Sequence, residues 1–275
     1  MITTDVISRK RYRVEQDKKF RLKDWDANDR EGLPPETHLV IDQTAREIVR
    51  IEELQGRLHA EHKHKVLIVF QATDTGGKDG SIRRLAGGMD PAGLRVTSYK
   101  APSAIEYDHD PLWRIHPHVP GKGQVAIFNR SHYEDYLVPR VHKIFDEKRL
   151  EKRLRHLLHF EEMLADEGVC IIKFFLHIDK DEQKKRLLAR QENPEKHWKF
   201  DLADLKERDH WDEYQKAYED MLAFTSADHA PWYIVPANNK KRRDLVLATI
   251  VRKHLEDLAP QFPKAAFDVS ELKIK

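Results

Sequence analysis

Residues 66–80 read VLIVFQATDTGGKDG, an apolar run of strand type that ends in Gly76-Gly77-Lys78. Glycines let consecutive backbone N–H groups curl round an anion, a lysine reaches the outer phosphates, and a helix N-terminus behind them completes the site. The pattern is that of a phosphate-binding P-loop with two departures. Its usual first glycine is Ala72, and the Ser or Thr that would follow the lysine and bind magnesium is Asp79. A further acid, Asp74, lies inside the loop, where a carboxylate repels phosphate unless it holds the metal that bridges to the phosphates. The expected loop therefore holds phosphate through Thr75, Gly76, Gly77, Lys78, Asp79 and Gly80, with Asp74 on the metal. Asp79 is read as a cap of the helix that follows. Arg83 and Arg84, one turn into that helix, add positive charge beside the loop.

Working outward, apolar runs of strand length at 66–70, 94–99, 124–128, 169–176 and 232–235 alternate with segments of helical character. Those segments are 36–61, 79–88, 103–116, 131–166, 180–192, 202–224 and 241–258. Short apolar strands alternating with helices predict a mostly parallel five-stranded sheet covered on both faces. The expected fold is α/β, a three-layer α/β/α P-loop kinase-like arrangement with a helical lid. Residues 1–35 are polar, with anchors at Tyr12, Phe20, Leu22 and Trp25, and read as an arm draped on a single domain spanning 36–275.

In such a sheet ligands bind outside the carboxyl ends of the strands. Lys100 follows the second strand, and Asn129-Arg130 end the third. Arg130 is placed to neutralise charge on a transferring phosphoryl group, an effect worth ~10³ to 10⁵ in rate. Glu134, one helical turn later, either orients Arg130 or holds a second magnesium. His132 between them is the weaker candidate, because transfer between phosphates needs little proton chemistry. The fourth strand leads into a lid over about 180–206, whose Lys184, Lys185, Arg186 and Arg190 would close over phosphates and exclude water. The bland reading of the same segment is a solvated amphipathic helix laced with ion pairs.

Composition narrows the class. The 275 residues carry 49 Lys+Arg against 47 Asp+Glu, a net +2, which argues against a generic nucleic-acid coat. No run approaches the ~20 apolar residues of a membrane span, and one cysteine, Cys170, excludes an internal disulfide. A cytoplasmic enzyme with no nucleic-acid or membrane partner is expected. The histidines match no compact zinc spacing.

Taken together, QATDTGGKDGSIRR, YKAPSAIEYDHDPLWRIH, FNRSHYEDYLVPRV, FFLHIDKDEQKKRLLARQENPEKHWKF and DHAPWYIVPANNKKRRDLVL resemble the family-2 polyphosphate kinases over about residues 10–262. The resemblance implies phosphoryl transfer between inorganic polyphosphate and nucleoside mono- or diphosphates, with Mg²⁺ or Mn²⁺, in a homo-oligomer (dimer or tetramer). It gives Asp74 the metal, Lys78 the phosphates and Arg130 the transferring group, and the polyphosphate is expected to thread a groove lined by Arg83, Arg84, Lys184 and Lys185. Asn129 stands where many members have Asp, as in the branch called class III, which resembles enzymes acting on both mono- and diphosphates. A neutral Asn129 shifts metal binding toward Glu134. Two rivals remain at this stage: an ATP-dependent nucleoside monophosphate kinase, and a single-strand nucleic-acid binder using the basic lid and Trp198.

Overall fold

Val66 to Phe70 are fully buried, because their strand is the middle one of the sheet. The computed structural model describes residues 7–16, 18–199, 202–267 and 272. Lys65–Gln71 (β1), Leu94–Ser98 (β2), Gln124–Asn129 (β3), Val169–His177 (β4) and Trp232–Pro236 (β5) form one sheet in the order β2-β3-β1-β4-β5. Every neighbouring pair is parallel. The helices are α1 (Arg9–Tyr12), α2 (Thr37–Glu61), α3 (Lys78–Ala86), α4 (Ala104–Tyr107), α5 (Glu134–Val141), α6 (Glu147–Asp166), α7 (Lys180–Gln191), α8 (Leu202–Asp209), α9 (Trp211–Thr225) and α10 (Lys240–Leu258).

Side chains alternate across a strand, and β1 divides its own between two cores. Val66, Ile68 and Phe70 pack with α2, α3 and α10, whereas Leu67 and Val69 pack with α5, α6 and α9. The three-layer arrangement follows. Leu150, Leu154, Leu157 and Phe160 of α6 are buried in the second core, with Leu158 half-buried beside them. Cys170 is also half-buried, and burial pushes its thiol up to about 11.

Residues 7–35 lie partly along the sheet. Arg13 forms a bridge with Tyr233, the Val14 amide donates to the Trp232 carbonyl at 2.9 Å, and Leu22 is fully buried. This segment shields the β5 edge, which would otherwise present unpaired backbone groups.

Three expected helices differ. The segment 131–166 breaks into α5 and α6, because Asp146 caps a new helix by accepting from the Arg149 amide and Lys143 turns left-handed at φ 53°. The segment 202–224 breaks at His210. Of 103–116 only α4 is α-helical. It opens with a capping box between Ser103 and Glu106, and the rest runs as turns up to the 3₁₀ stretch at His116–His118. No helix among the described residues is long and apolar enough to cross a membrane.

Candidate active site

The loop between β1 and α3 is tight for identifiable reasons. A Cβ on Gly76 would lie 2.5 Å from the Ala72 Cβ and 2.9 Å from the Thr73 carbonyl oxygen, so only glycine fits. Gly77 has φ 101°, and a Cβ there would fall 2.2 Å from the Arg243 guanidinium. Thr75 is left-handed at φ 60°, an unfavourable state for a branched side chain. Ala72 needs no such backbone, which accounts for alanine where a glycine is usual. The Lys78 Nζ donates to the Ala72 carbonyl at 3.1 Å. The hydroxyls of Thr73 and Thr75 are buried without a partner in the chain. Two spare hydroxyls and a folded-back lysine suit a loop built to receive an anion.

Asp79 does not cap α3. The cap position is Gly77, and Asp79 sits in the first turn, where its carboxylate accepts from the Asn129 side-chain amide at 2.9 Å. An Asx residue caps only from the position before the helix, and this helix starts at Lys78, two residues too early for that. Asn129 is therefore tied to the loop through Asp79.

Arg130 is the centre of the site. Its backbone is left-handed at φ 62°, and its amide donates to the Phe70 carbonyl at 3.0 Å, which locks the end of β3 to the end of β1. Its guanidinium donates to Asp74 at 2.6 Å and to Glu134 at 3.1 Å, while staying 38% exposed. The Glu134 charge, against the effect of burial and with help from Asp74, holds this guanidinium charged well beyond its ordinary range. Burial first, and the like charge of Arg130 second, push the Lys78 ammonium down to about 8, opposed by Asp74, Glu134 and Asp79.

A recess lies over these groups, lined by Ala72, Thr73, Asp74, Arg130, Glu134, Gln183, Glu207, Trp211, Tyr214 and Tyr218. Gln183 reaches the Asp74 carbonyl at 3.3 Å, and the Tyr214 hydroxyl donates to Glu207 at 2.7 Å. Glu207, Trp211, Tyr214 and Tyr218 escape a loop-by-loop reading. The spacing of three and four that puts Trp211, Tyr214 and Tyr218 on one face of α9 was the available signal, with Glu207 on α8 just before the break at His210. Among the described residues no three His, Cys, Asp or Glu converge as a ready metal cage. Magnesium needs less, because it is bound by one or two carboxylates with phosphates and water completing the shell. Asp74 and Glu134 meet that requirement.

On the other side of the loop a groove with about 620 Å³ of open space is lined by Glu182, Lys185, Arg186, Ala189, Asn238, Asn239, Lys240 and Lys241. Arg186 fastens α7 to the loop, donating to the Thr75 carbonyl at 3.0 Å and to the Ala237 and Asn238 carbonyls at 2.5 and 3.1 Å. Arg243 of α10, buried against Gly77, is a second cation that the sequence reading did not single out.

The remaining expected residues lie apart. Arg83 and Arg84 are exposed on α3 and line neither space, so the structure does not join them to the groove. Their spacing puts them on the face opposite buried Ile82 and Leu85. Lys184 is exposed, Arg190 is half-buried in the last turn of α7, and Gly80 is exposed in α3. The Lys100 side chain is exposed while its carbonyl accepts from Arg114 at 2.9 Å. Trp198 is 78% exposed, and the lid residues Phe200 and Asp201 lie outside the described residues.

Comparison with known proteins adds an independent line. Residues 38–263 match the family described as polyphosphate kinase 2 (PPK2). An AMP/ADP-polyphosphate phosphotransferase of Meiothermus ruber is 48% identical over 93% of this chain and 96% of its own. An ADP-polyphosphate phosphotransferase of Rhodopseudomonas palustris is 39% identical over 94% and 93%. The crystal structure of polyphosphate kinase 2 from Arthrobacter aurescens TC1 superposes with a TM-score of 0.91 at 40% identity, covering 94% of this chain and 92% of that one.

Proposed function

Because the chain belongs to the polyphosphate kinase 2 family, we propose that it moves a phosphoryl group directly between inorganic polyphosphate and nucleoside mono- and diphosphates. AMP to ADP and ADP to ATP are the steps assigned, with GMP and GDP as further acceptors. A relative 48% identical is named for AMP and ADP, and another at 33% for GDP, which supports this breadth. The single observation that carries the site reading is Arg130, gripped between Asp74 and Glu134 at the mouth of the phosphate loop.

The nucleotide's terminal phosphate oxygen attacks the end phosphorus of the polyphosphate. One P–O bond forms, the P–O bond to the next phosphate breaks, and the shortened chain leaves with the bonding pair. Lys78 exchanges the Ala72 carbonyl for phosphate oxygens, and the loop amides hold them in place. Arg130 meets the charge spread over the equatorial oxygens as the phosphoryl group flattens. Asp74 and Glu134 would hold Mg²⁺, or Mn²⁺ in its stead, and the ion would supply charge neutralisation to the phosphates. The groove lined by Lys185, Arg186, Lys240 and Lys241 takes the rest of the donor chain. No covalent enzyme intermediate is involved, and His132 is fully buried and so out of reach of a donor.

The test is formation of ADP from AMP and polyphosphate with Mg²⁺ and no ATP, by wild type and by Asp74→Asn. Wild type forms ADP, and the variant is slower by ~10² or more, the scale of losing one charged group at a transition state. No product without ATP would favour an ordinary monophosphate kinase, and full activity of the variant would overturn the metal assignment.

A further inference from the structure

Between Arg130 and Glu134 the chain is held from below by charges that see no solvent. Ser131, His132 and Tyr133 are each 0% exposed, as are Glu161 on α6 and Lys173 on β4. His132 Nε2 donates to Glu161 Oε1 at 3.0 Å, and the Tyr133 hydroxyl donates to the same oxygen at 2.9 Å. Lys173 donates to the other Glu161 oxygen, to the Tyr133 hydroxyl at 2.9 Å and to the Thr225 carbonyl at 2.8 Å. The ammonium thus has three donors and three acceptors, with none left over.

Stability alone does not call for this arrangement. Removing two charges from water is unfavourable, and apolar side chains of similar volume commonly replace such pairs without loss. What the cluster does hold is specific. Both donors to Glu161 Oε1 come from consecutive residues of the segment that joins Arg130 to Glu134. Ser131 is pinned as well, since its hydroxyl accepts from Gln71 at 3.1 Å and from the Tyr133 amide at 3.2 Å. Arg130 itself sits at φ 62°, a backbone state that an L side chain keeps only when its surroundings impose it. A carboxylate gripping the next two side chains is such an imposition.

We infer that Glu161 and Lys173 are positioning residues for phosphoryl transfer, acting through His132 and Tyr133 to hold the Arg130 guanidinium where the transferring group passes. The inference rests on the assignment of Arg130 above. Glu161 and Lys173 touch neither substrate. Misplacement by about 1 Å, even from a distance, is enough to slow such a step by ~10², so their loss falls on kcat rather than on KM.

The experiment compares five proteins with wild type: Glu161→Leu/Lys173→Met, Glu161→Gln/Lys173→Met, Tyr133→Phe, Arg130→Ala, and Arg130→Ala added to the Leu/Met pair. Both double variants remove the two charges together, which avoids stranding one of them. The Leu/Met variant strands the buried His132 and Tyr133 donors, so it is expected to melt lower than wild type and, assayed while folded, to lose tenfold or more in kcat and keep both KM values within twofold. The Gln/Met variant retains an acceptor for His132 and Tyr133 and recovers most of that loss, which a merely structural role would not produce. Adding Arg130→Ala to the Leu/Met variant costs less than it does in wild type, because coupled residues are not additive. A folded Leu/Met variant with wild-type kcat, a loss not rescued by Gln, or full additivity with Arg130→Ala overturns the inference. If the Leu/Met variant does not fold, Tyr133→Phe decides: a threefold or greater fall in kcat at constant KM supports the inference, and no change overturns it. Wild-type activity in Arg130→Ala would instead defeat the site assignment on which the inference rests.

Discussion

On the recess side of the phosphate loop the lining carries three carboxylates, Asp74, Glu134 and Glu207, and one guanidinium, Arg130; on the groove side four cations, Lys185, Arg186, Lys240 and Lys241, accompany one carboxylate, Glu182. In the proposed reaction both sides face phosphate, yet their charge balances are opposite. A phosphate chain carries charge along its whole length and needs cations wherever it runs. Carboxylates are tolerable only where a metal ion joins the phosphates. The comparison therefore separates the place of transfer from the path of the donor. The recess should govern the rate of the chemical step, and the groove should govern affinity for long chains.

The largest effect belongs to the recess. Arg130→Ala should lower kcat by ~10³ or more, the scale of an arginine at a transferring phosphoryl group. Arg130→Lys should recover little, because an ammonium cannot reproduce a planar fork shared between Asp74 and Glu134. Single-turnover rates at saturating AMP and polyphosphate measure this directly. A loss of the same size from Lys240→Ala would erase the distinction between the two sides.

Lys78 lies between the two and sharpens the comparison through pH. Its ammonium is pushed down from 10.5 to about 8, chiefly by burial and then by Arg130. Below pH 8 the group is charged in the folded and the unfolded chain alike, and the folded protein bears the full desolvation penalty. Between pH 8 and 10.5 the folded chain has released the proton while the unfolded chain keeps it, so the penalty fades as pH rises. Lys78→Met should therefore raise the melting temperature of the ligand-free protein at pH 7, with the gain shrinking toward pH 10, while abolishing most activity. A melting temperature that falls equally at both pH values would mean that Lys78 is held by its carboxylate neighbours rather than strained by burial.

The difference between the two sides also marks what was legible in the sequence. Asp74, Lys78, Arg130 and Glu134 each lie within a few residues of an apolar strand, so strand detection and the carboxyl-edge rule suffice to find them. The central strands β1, β3 and β4 were plain because central parallel strands read as nearly unbroken apolar runs, while the edge strand β2, LRVTS, carries a weaker signal. The groove was not plain. Its cations come from α7 and from the start of α10, two elements brought side by side only by the pairing of β4 with β5. Exposed Arg83 and Arg84 looked equally suitable, because charge alone does not say which way a helix face turns. Glu207, Trp211, Tyr214 and Tyr218 were missed because they lie on α8 and α9, away from any strand end, and the break at His210 separates Glu207 from the other three. Asp79 read as a cap because a cap there needs a helix that starts at residue 80, and the helix in fact starts two residues earlier, at Lys78. His132 read as a weak chemical candidate, and its burial beside Glu161 and Lys173, both remote in the chain, became visible only in three dimensions.

The smallest effect tests the groove itself. Lys240 is partly desolvated, and burial, then the neighbouring charges of Arg186 and Arg243, lower its pKa. A phosphate chain would relieve that crowding of cations, so Lys240→Ala should raise KM for long polyphosphate about fivefold, the upper range for one partly exposed ion pair. The shift should shrink at high salt, as exposed charge interactions do, and vanish for a donor too short to leave the recess. Arg83→Ala and Arg84→Ala should change KM by less than twofold, since neither residue lines the groove. The reverse ranking, with the α3 arginines dominating, would move the donor path to the outer face of α3 and leave the α10 cations holding only α7 and the loop together.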